Sequence, residues 1–252
     1  MTAVPAPAEA PAPRLLPARA LARTGSLFGA FLIVAGAASG SGPGQGWRGD
    51  LPWMAAFTAA GLALAALAGV ALDRALLVGG LRREVLRGNL AAGISSGAHR
   101  IALGVIIARC MLGADLGALL VGAAFVAVGA ATLLAFQLLH RRLTRYADDQ
   151  EVRGGNCAAA LSNAGLSVAL GVIIGHAAEG SFAGWAASLR AYGLALLLAV
   201  ALYPVRQLLV QRLILRGQRP LDRAIAEEHD HALGAVEGLA YLATALLVTG
   251  FS

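Results

Sequence analysis

The chain has 252 residues, of which 58% are hydrophobic and 13% are charged, whereas a soluble domain usually carries about a quarter charged residues. The apolar residues fall in blocks of about 20, the length at which a helix crosses a ~30 Å hydrocarbon core. This pattern excludes an ordinary soluble domain, and it also excludes a membrane β-barrel, which is built from short alternating segments. We therefore predict an all-α fold, a polytopic transmembrane helical bundle.

The formal net charge of +6 arises from an excess of arginine, since the chain has 20 arginines and no lysine. Most of these arginines lie between the apolar blocks, in the segments that set membrane topology. We therefore interpret the charge as a topology signal, and we expect no nucleic-acid partner.

The amino-terminal part divides into two segments. Residues 1–26 are rich in proline and alanine, and we predict that they form a disordered basic arm. Residues 27–50 hold a short apolar run and a loop rich in glycine, proline and serine. We prefer to interpret the run as a short first span. The alternative is a signal-like segment that ends at a small-residue cleavage site.

The rest of the chain consists of three helix pairs, a first repeat over 51–111, a second over 112–178 and a divergent third over 179–252. Together with the first run, they predict about seven spans. The spans after the first run are expected at 52–72, 90–111, 116–139, 157–178, 189–209 and 231–251.

The second helix of each pair carries the repeat. With Asn89, Asn156 and Asp230 as position zero, the three helices align without a gap, and offsets 4, 7, 8, 11, 15 and 19 fall on one helical face. That face is small or polar in every copy, so we expect it to face other helices or water. The three residues at position zero are predicted N-caps. The predicted close-packing residues are Gly93, Gly97, Gly104, Gly171, Gly175, Gly234 and Gly238, and the candidate polar stripe is Ser96, Arg100, Asn163, Ser167, Glu237 and Tyr241.

The arginines also predict the orientation. Sixteen lie in the amino-terminal arm and in the inter-span segments on the same side, three lie on the other side, and one lies within a span. The positive-inside rule then places the Arg-rich loops in the cytoplasm and the carboxyl terminus outside. The three repeat helices are accordingly predicted to be parallel, each running from the cytoplasm outward.

The second repeat reads LTRYADDQEVRGGNCAAALSNAGLSVALGVIIGHA, a polar loop followed by asparagine, an Ala-Ala pair and a small-residue helix. This pattern resembles the repeat of the YjfL-like bacterial inner-membrane family, the domain of unknown function 350. The matching positions in the two copies are Asn89, Ala91, Ala92 and Gly104, and Asn156, Ala158, Ala159 and Gly171. The third copy departs, with Asp230 for asparagine and Glu237 within the span, as does the basic amino-terminal extension. The resemblance implies an inner-membrane location and a place among scaffold and membrane-stress proteins, and it carries over no catalytic residues.

Arg100 is the most unusual residue, because it lies near the middle of a predicted span. An unpaired charge at that depth costs ~2.5–3.5 kcal/mol on insertion scales, so a partner is expected. Glu237 is the predicted partner, since it has the opposite sign and its position on a parallel helix is only about 6 Å away in depth. We prefer a structural ion pair that sets helix register over a charged element of a polar pathway.

The histidines are expected to be structural. His99 is predicted to be a hydrogen bonder in helix packing, and His176 with Glu179 is predicted to be a solvated helix end. The acidic and histidine cluster at 227–231 is not expected to bind metal, because its two histidines lie on nearly opposite helix faces. The chain also contains no GxxxxGK[ST], HExxH or GxSxG sequence. We therefore expect no enzymatic activity, no cofactor and no metal.

Two classes of function remain. The preferred one is a helical scaffold or membrane-stress-associated component of the inner membrane, whose stripes only pack helices. Its expected partners are the lipid bilayer, anionic lipid headgroups at the Arg-rich loops, and a cytoplasmic protein or a second copy of the chain. The alternative is a channel or transporter for a small ion or solute along the polar stripes, which Arg100, Asn163 and Glu237 favour.

Overall fold

The computed structural model describes residues 17–40, 47–76, 80–143, 147–179, 182–209, 212 and 221–250. Within these residues the chain forms ten α-helices and no β-strand. In chain order the helices are α1 (Pro17–Gly40), α2 (Trp47–Leu76), α3 (Leu81–Leu86), α4 (Leu90–Cys110), α5 (Leu116–Leu143), α6 (Asp148–Arg153), α7 (Cys157–Ala177), α8 (Trp185–Leu209), α9 (Leu221–Ala226) and α10 (His231–Gly250).

The predicted all-α membrane bundle is confirmed. In the described part of the chain, six helices are long and apolar enough to cross a membrane, namely α1, α2, α4, α5, α7 and α10. Helix α8 has 25 residues and lies where the span at 189–209 was predicted. The prediction of about seven spans therefore corresponds to seven long helices in the described part of the chain, six of which are candidate spans.

The order of the elements repeats three times after α1. Each unit is a long helix, a helix of six residues and a second long helix, so the units are α2–α3–α4, α5–α6–α7 and α8–α9–α10. The short helices were predicted as loops. Two or three residues separate each from the N-cap residue of the next helix, whose N–H donates back to the short helix, as Asn89 does to the Glu84 carbonyl and Asn156 to the Glu151 carbonyl.

The amino-terminal helix begins earlier than predicted. Helix α1 spans Pro17–Gly40, so residues 17–26 are helical and do not belong to a disordered arm. Ala18 is fully buried beside α3 and α4, which explains why this part of the chain is ordered. The remainder of the predicted arm, residues 1–16, lies outside the described residues.

Four helices lie in a parallel row in the order α1, α4, α7, α10. Near one end of the first pair, Ala18 lies against Gly93. Near the other end, Gly40 lies against Leu112. In the other two pairs of helices, the contacts also move along both chains in the same direction. Between α4 and α7, Ala102 lies against Gly171 and Val105 against Gly175; between α7 and α10, Ala158 lies against Gly234 and Leu161 against Gly238. The three repeat helices are therefore parallel, as predicted, and α1 is a fourth member of the same row.

The remaining long helices cover one side of this row. Helices α2 and α5 pack on α4, while α8 packs on α7 and α10. In the two central helices, α4 and α7, 72% of the residues in the apolar stretch are buried. In the other candidate spans the buried share is 22–33%. Large core side chains that are almost fully buried include Ile33, Phe57, Leu103, Ile106, Ile107, Met111, Leu133 and Ile174.

Candidate functional site

The small face of each repeat helix packs directly on the backbone of the preceding helix in the row. A Cβ added to Gly104 would lie 2.5 Å from Cα of Gly29, and one added to Gly171 would lie 2.7 Å from Cα of Ala102. Only a residue without a side chain fits at these distances, as at other closely packed membrane helices. Gly93, Gly97, Gly234 and Gly238 also meet backbone atoms of the neighbouring helix, while Gly175 first meets the side chain of Arg109.

Arg100 forms an ion pair with Asp73 of α2. Nη2 of Arg100 lies 2.6 Å from Oδ2 of Asp73. The prediction that Arg100 pairs with Glu237 is therefore wrong. The physical reason is the order of the row, since α7 lies between the helices that carry these two residues.

The surroundings of this ion pair contain two features that the sequence analysis missed. Gly69 lies one turn before Asp73, and a Cβ there would be 2.6 Å from Nη1 of Arg100, so this glycine makes room for the guanidinium group. The second carboxylate oxygen of Asp73, Oδ1, is buried and has no hydrogen-bond partner among the described residues. Ser96, another member of the candidate stripe, lines the same cavity as Arg100 and Asp73.

Glu237 is buried, with 6% of its surface exposed, at the contact between α7 and α10. Its Oε2 atom accepts a hydrogen bond of 2.6 Å from the hydroxyl of Ser162. Tyr241, one turn later, packs edge-on against the ring of His140, with 5.8 Å between the ring centroids. These two stripe residues therefore join α10 to α7 and to α5.

A second polar contact joins α5 to α7. Gln137 donates to the Ser167 hydroxyl at 2.7 Å, and that hydroxyl donates in turn to the carbonyl of Asn163 at 2.7 Å. All three residues are buried. The sequence offered a signal for Gln137, because an amide within an apolar span requires a partner.

His99 is 3% exposed, and neither of its ring nitrogens has a hydrogen-bond partner among the described residues. The predicted role of His99 as a hydrogen bonder in helix packing is therefore not seen in this part of the chain. The hydroxyl of Ser95, one turn earlier on α4, is likewise buried without a described partner. A neutral imidazole offers one donor and one acceptor, and no described residue pairs with either of them.

The residues at position zero accept hydrogen bonds from the first turns of the helices that follow them. Oδ1 of Asn89 accepts from Ala92 N–H at 3.1 Å. Oδ1 of Asn156 accepts from the N–H groups of Ala158 and Ala159, and Oδ1 of Asp230 accepts from those of Ala232 and Leu233. Each side chain thus satisfies backbone donors that an isolated helix end leaves unpaired.

The two asparagines also connect successive repeats. The Asn89 amide donates to the carbonyl of Val152 in α6 at 2.8 Å, and the Asn156 amide donates to the carbonyl of Ile225 in α9 at 2.9 Å. Aspartate has no amide to donate. Asp230, at the equivalent position of the third repeat, therefore lacks this donor but keeps the oxygen that caps α10.

The opposite end of the bundle carries an exposed charged group. Arg109 lies 2.6 Å from Glu179, and His176 lies 3.5 Å from the other oxygen of the same carboxylate. No group of three or more His, Cys, Asp or Glu side chains in the described part of the chain is placed to hold a metal ion.

The family comparison accounts for nearly the whole chain. The family model described as Domain of Unknown Function (DUF350) matches residues 15–111 and again residues 114–251. The chain belongs to this family. Neither the curated proteins nor the solved structures gave a match.

The DUF350 matches confirm the resemblance and extend it. The residues that carried the resemblance lie within the first two repeats, 51–178, whereas the matches also include α1 at one end and the divergent third unit at the other. The first DUF350 copy spans α1 to α4, and the second spans α5 to α10, so the second contains two of the three structural units. The boundary between the copies falls in the tight turn between α4 and α5.

Proposed function

We propose that this protein is a non-catalytic scaffold of the bacterial inner membrane, with its Arg-rich end at the cytoplasmic surface and its carboxyl terminus outside. The proposal is carried by one observation: the small and polar stripes are occupied by helix packing. Backbone lies against backbone at successive positions along α1–α4, α4–α7 and α7–α10. At these contacts a solute cannot pass between the two facing backbones.

The polar members of the stripe support the same proposal. Asn163, Ser167, Glu237 and Tyr241 are buried, and they connect α5, α7 and α10 in the way that polar groups stabilise helix association in lipid. A pathway for ions would instead require these side chains to face a continuous aqueous cavity. The proposed partners of the scaffold are anionic lipid headgroups at the Arg-rich end and a cytoplasmic protein.

A flux measurement tests the proposal against a channel or transporter. The purified full-length protein is reconstituted into liposomes, and the fluxes of K⁺, H⁺ and Cl⁻ are compared with those of empty liposomes and of liposomes that contain a known pore. We expect the fluxes to equal those of empty liposomes. A flux that depends on the protein and is abolished by Glu237→Gln or Asn163→Leu would overturn the scaffold proposal.

A further inference from the structure

A cavity of about 270 Å³ lies at the Arg-rich end of the bundle, between α1, α2, α3 and α4. Four arginines and one carboxylate, that of Asp73, are the charged groups that line it, so the lining carries a net charge of about +3. The arginines are Arg19, Arg23, Arg82 and Arg100. We refer to this space as the arginine chamber. It is several times larger than the ~30 Å³ that one water molecule occupies in the liquid.

Two of the arginines are held in place by the fold. Arg19 donates to the carbonyl of Leu86 at 3.0 Å, and Arg100 is paired with Asp73. Arg23 and Arg82 make no hydrogen bond to a described residue, and Nε of Arg19 is buried without one. Since a guanidinium group has five N–H donors, the chamber offers many donors that the protein itself leaves unused.

The chamber also offers an acceptor. Oδ1 of Asp73 is buried and has no hydrogen-bond partner among the described residues. The hydroxyls of Ser26 and Ser96 line the same space. A ligand that fits all of these groups is an anion that also carries hydroxyl groups.

Beside the chamber lies an apolar cleft of about 180 Å³ between α1, α2 and α4. Ser26 and Arg100 line both spaces, so the two are adjacent at these residues. The rest of the cleft is lined by Gly29, Ala30, Ile33, Leu62, Ala65, Ala66 and Leu103. From Asp73 to Leu62 the site extends eleven residues along α2, which is about 16 Å at 1.5 Å per residue.

We propose that the arginine chamber and the apolar cleft together bind one anionic phospholipid with a hydroxyl-bearing headgroup. The phosphate lies among the guanidinium groups, whose planar forks match phosphate oxygens. A headgroup hydroxyl donates to Oδ1 of Asp73, and the first part of an acyl chain fills the cleft. This inference deepens the anionic-lipid contact of the proposed function, and it rests on that proposal for the presence of such lipids at this end of the bundle.

Native mass spectrometry of the full-length protein in mild detergent tests the site, with phosphatidylglycerol as the probe and phosphatidylcholine as the zwitterionic control. We expect one phosphatidylglycerol to be retained in preference to phosphatidylcholine. The double variant Arg23→Gln/Arg82→Gln should weaken phosphatidylglycerol binding about tenfold or more, since one charge-assisted hydrogen bond is already worth about a factor of ten. The matched control, Arg83→Gln/Arg142→Gln, removes the same charge outside the chamber and should change binding less than about twofold.

A third variant separates a lipid from a free phosphate. Ala66→Leu fills the cleft without touching the chamber, so it should weaken phosphatidylglycerol binding while leaving the melting temperature in detergent unchanged. Competition by inorganic phosphate at concentrations similar to those of the lipid would overturn the lipid assignment. Equal losses in the two double variants would reduce the effect to surface charge and also overturn it. Either result would leave the scaffold proposal standing, because that proposal fails only on flux.

Discussion

At the scale of single residues, two ion pairs of equal length lie in very different surroundings. Arg100 and Asp73 are 2.6 Å apart with side chains 26% and 11% exposed, and Arg109 and Glu179 are also 2.6 Å apart but 52% and 34% exposed. Removing one member of a buried pair leaves an uncompensated charge, which costs ~3–5 kcal/mol. An exposed pair contributes only ~0.2–1 kcal/mol, because water screens both charges.

We therefore predict that Arg100→Leu and Asp73→Leu each lower the free energy of unfolding by ~3–5 kcal/mol, and that the double variant recovers most of that loss. Arg109→Leu should cost less than about 1 kcal/mol. Reversible unfolding in detergent micelles measures these values as a double-mutant cycle. A coupling between Arg100 and Asp73 below ~0.5 kcal/mol would contradict the prediction, as would an equally large coupling between Arg100 and Glu237.

Asn156 has two roles that single substitutions can separate. Asn156→Asp keeps an oxygen that caps α7, but it removes the amide donor and places a carboxylate oxygen near the Ile225 carbonyl and near Glu151, whose Oε2 accepts from the asparagine amide at 2.7 Å. Asn156→Ala removes both roles without adding charge.

We expect Asn156→Asp to destabilise the protein by ~1–3 kcal/mol, at least as much as Asn156→Ala. The reason is that the new carboxylate oxygen would face two other acceptors, the Ile225 carbonyl and Oε2 of Glu151. The melting temperature of the two variants in the same detergent provides the comparison. If Asn156→Asp were as stable as the unchanged protein, Asn156 would act only as a cap.

At the scale of the elements, the row is built from one type of contact used three times. Helices α4, α7 and α10 each present glycines to the preceding helix, and α1 presents glycines such as Gly25 and Gly29 to α4. The first helix of the row carries exposed Leu27 and Phe31 on the side away from α4, and the last carries exposed Leu239 and Leu246. A backbone cannot approach these bulky side chains as closely as it approaches the glycine faces inside the row.

Replacing glycines at the helix contacts of the row with alanine tests how closely the backbones approach. Gly104→Ala and Gly171→Ala force atoms into occupied space, and we expect a loss of ~1–3 kcal/mol from each. Gly193→Ala in α8 is the matched control, since a Cβ there meets no atom within 4 Å. It should be neutral or stabilising by up to ~1 kcal/mol, because alanine is the better helix former. Equal effects at all three positions in a thermal-stability assay would contradict the assigned packing.

At the scale of the whole molecule, the four parallel helices point their amino-terminal ends toward the end that carries most of the arginines. Their dipoles and the guanidinium groups therefore add to a positive potential at that end. An anionic cytoplasmic leaflet attracts such a surface.

This arrangement predicts sidedness in the cell. In a background in which Cys110 and Cys157 are replaced by alanine, Arg142→Cys at the Arg-rich end should resist a membrane-impermeant thiol reagent in intact cells. Ala183→Cys, an exposed position at the opposite end, should react readily. The reverse pattern of labelling would invert the orientation.

The sequence by itself determined the long helices, the parallel repeats, the glycine face and the residues before the repeat helices. These features depend on length, apolar content and helical periodicity, which are local properties of the chain. The family resemblance could also be recognised from the sequence, because Asn89 and Asn156 occupy the same position in two copies of one pattern.

Only the tertiary structure decided which residues meet. Asp73 lies just beyond the span predicted at 52–72, yet it pairs with Arg100. Helix α1 was interpreted as a basic arm and a short span, yet it forms the first helix of the row. The alignment of repeats shows which positions are equivalent, but equivalent positions do not touch one another, since each helix uses different faces toward its two neighbours. Whether a charge in lipid finds a partner depends on which faces the row brings together, and that is a property of the assembled helices.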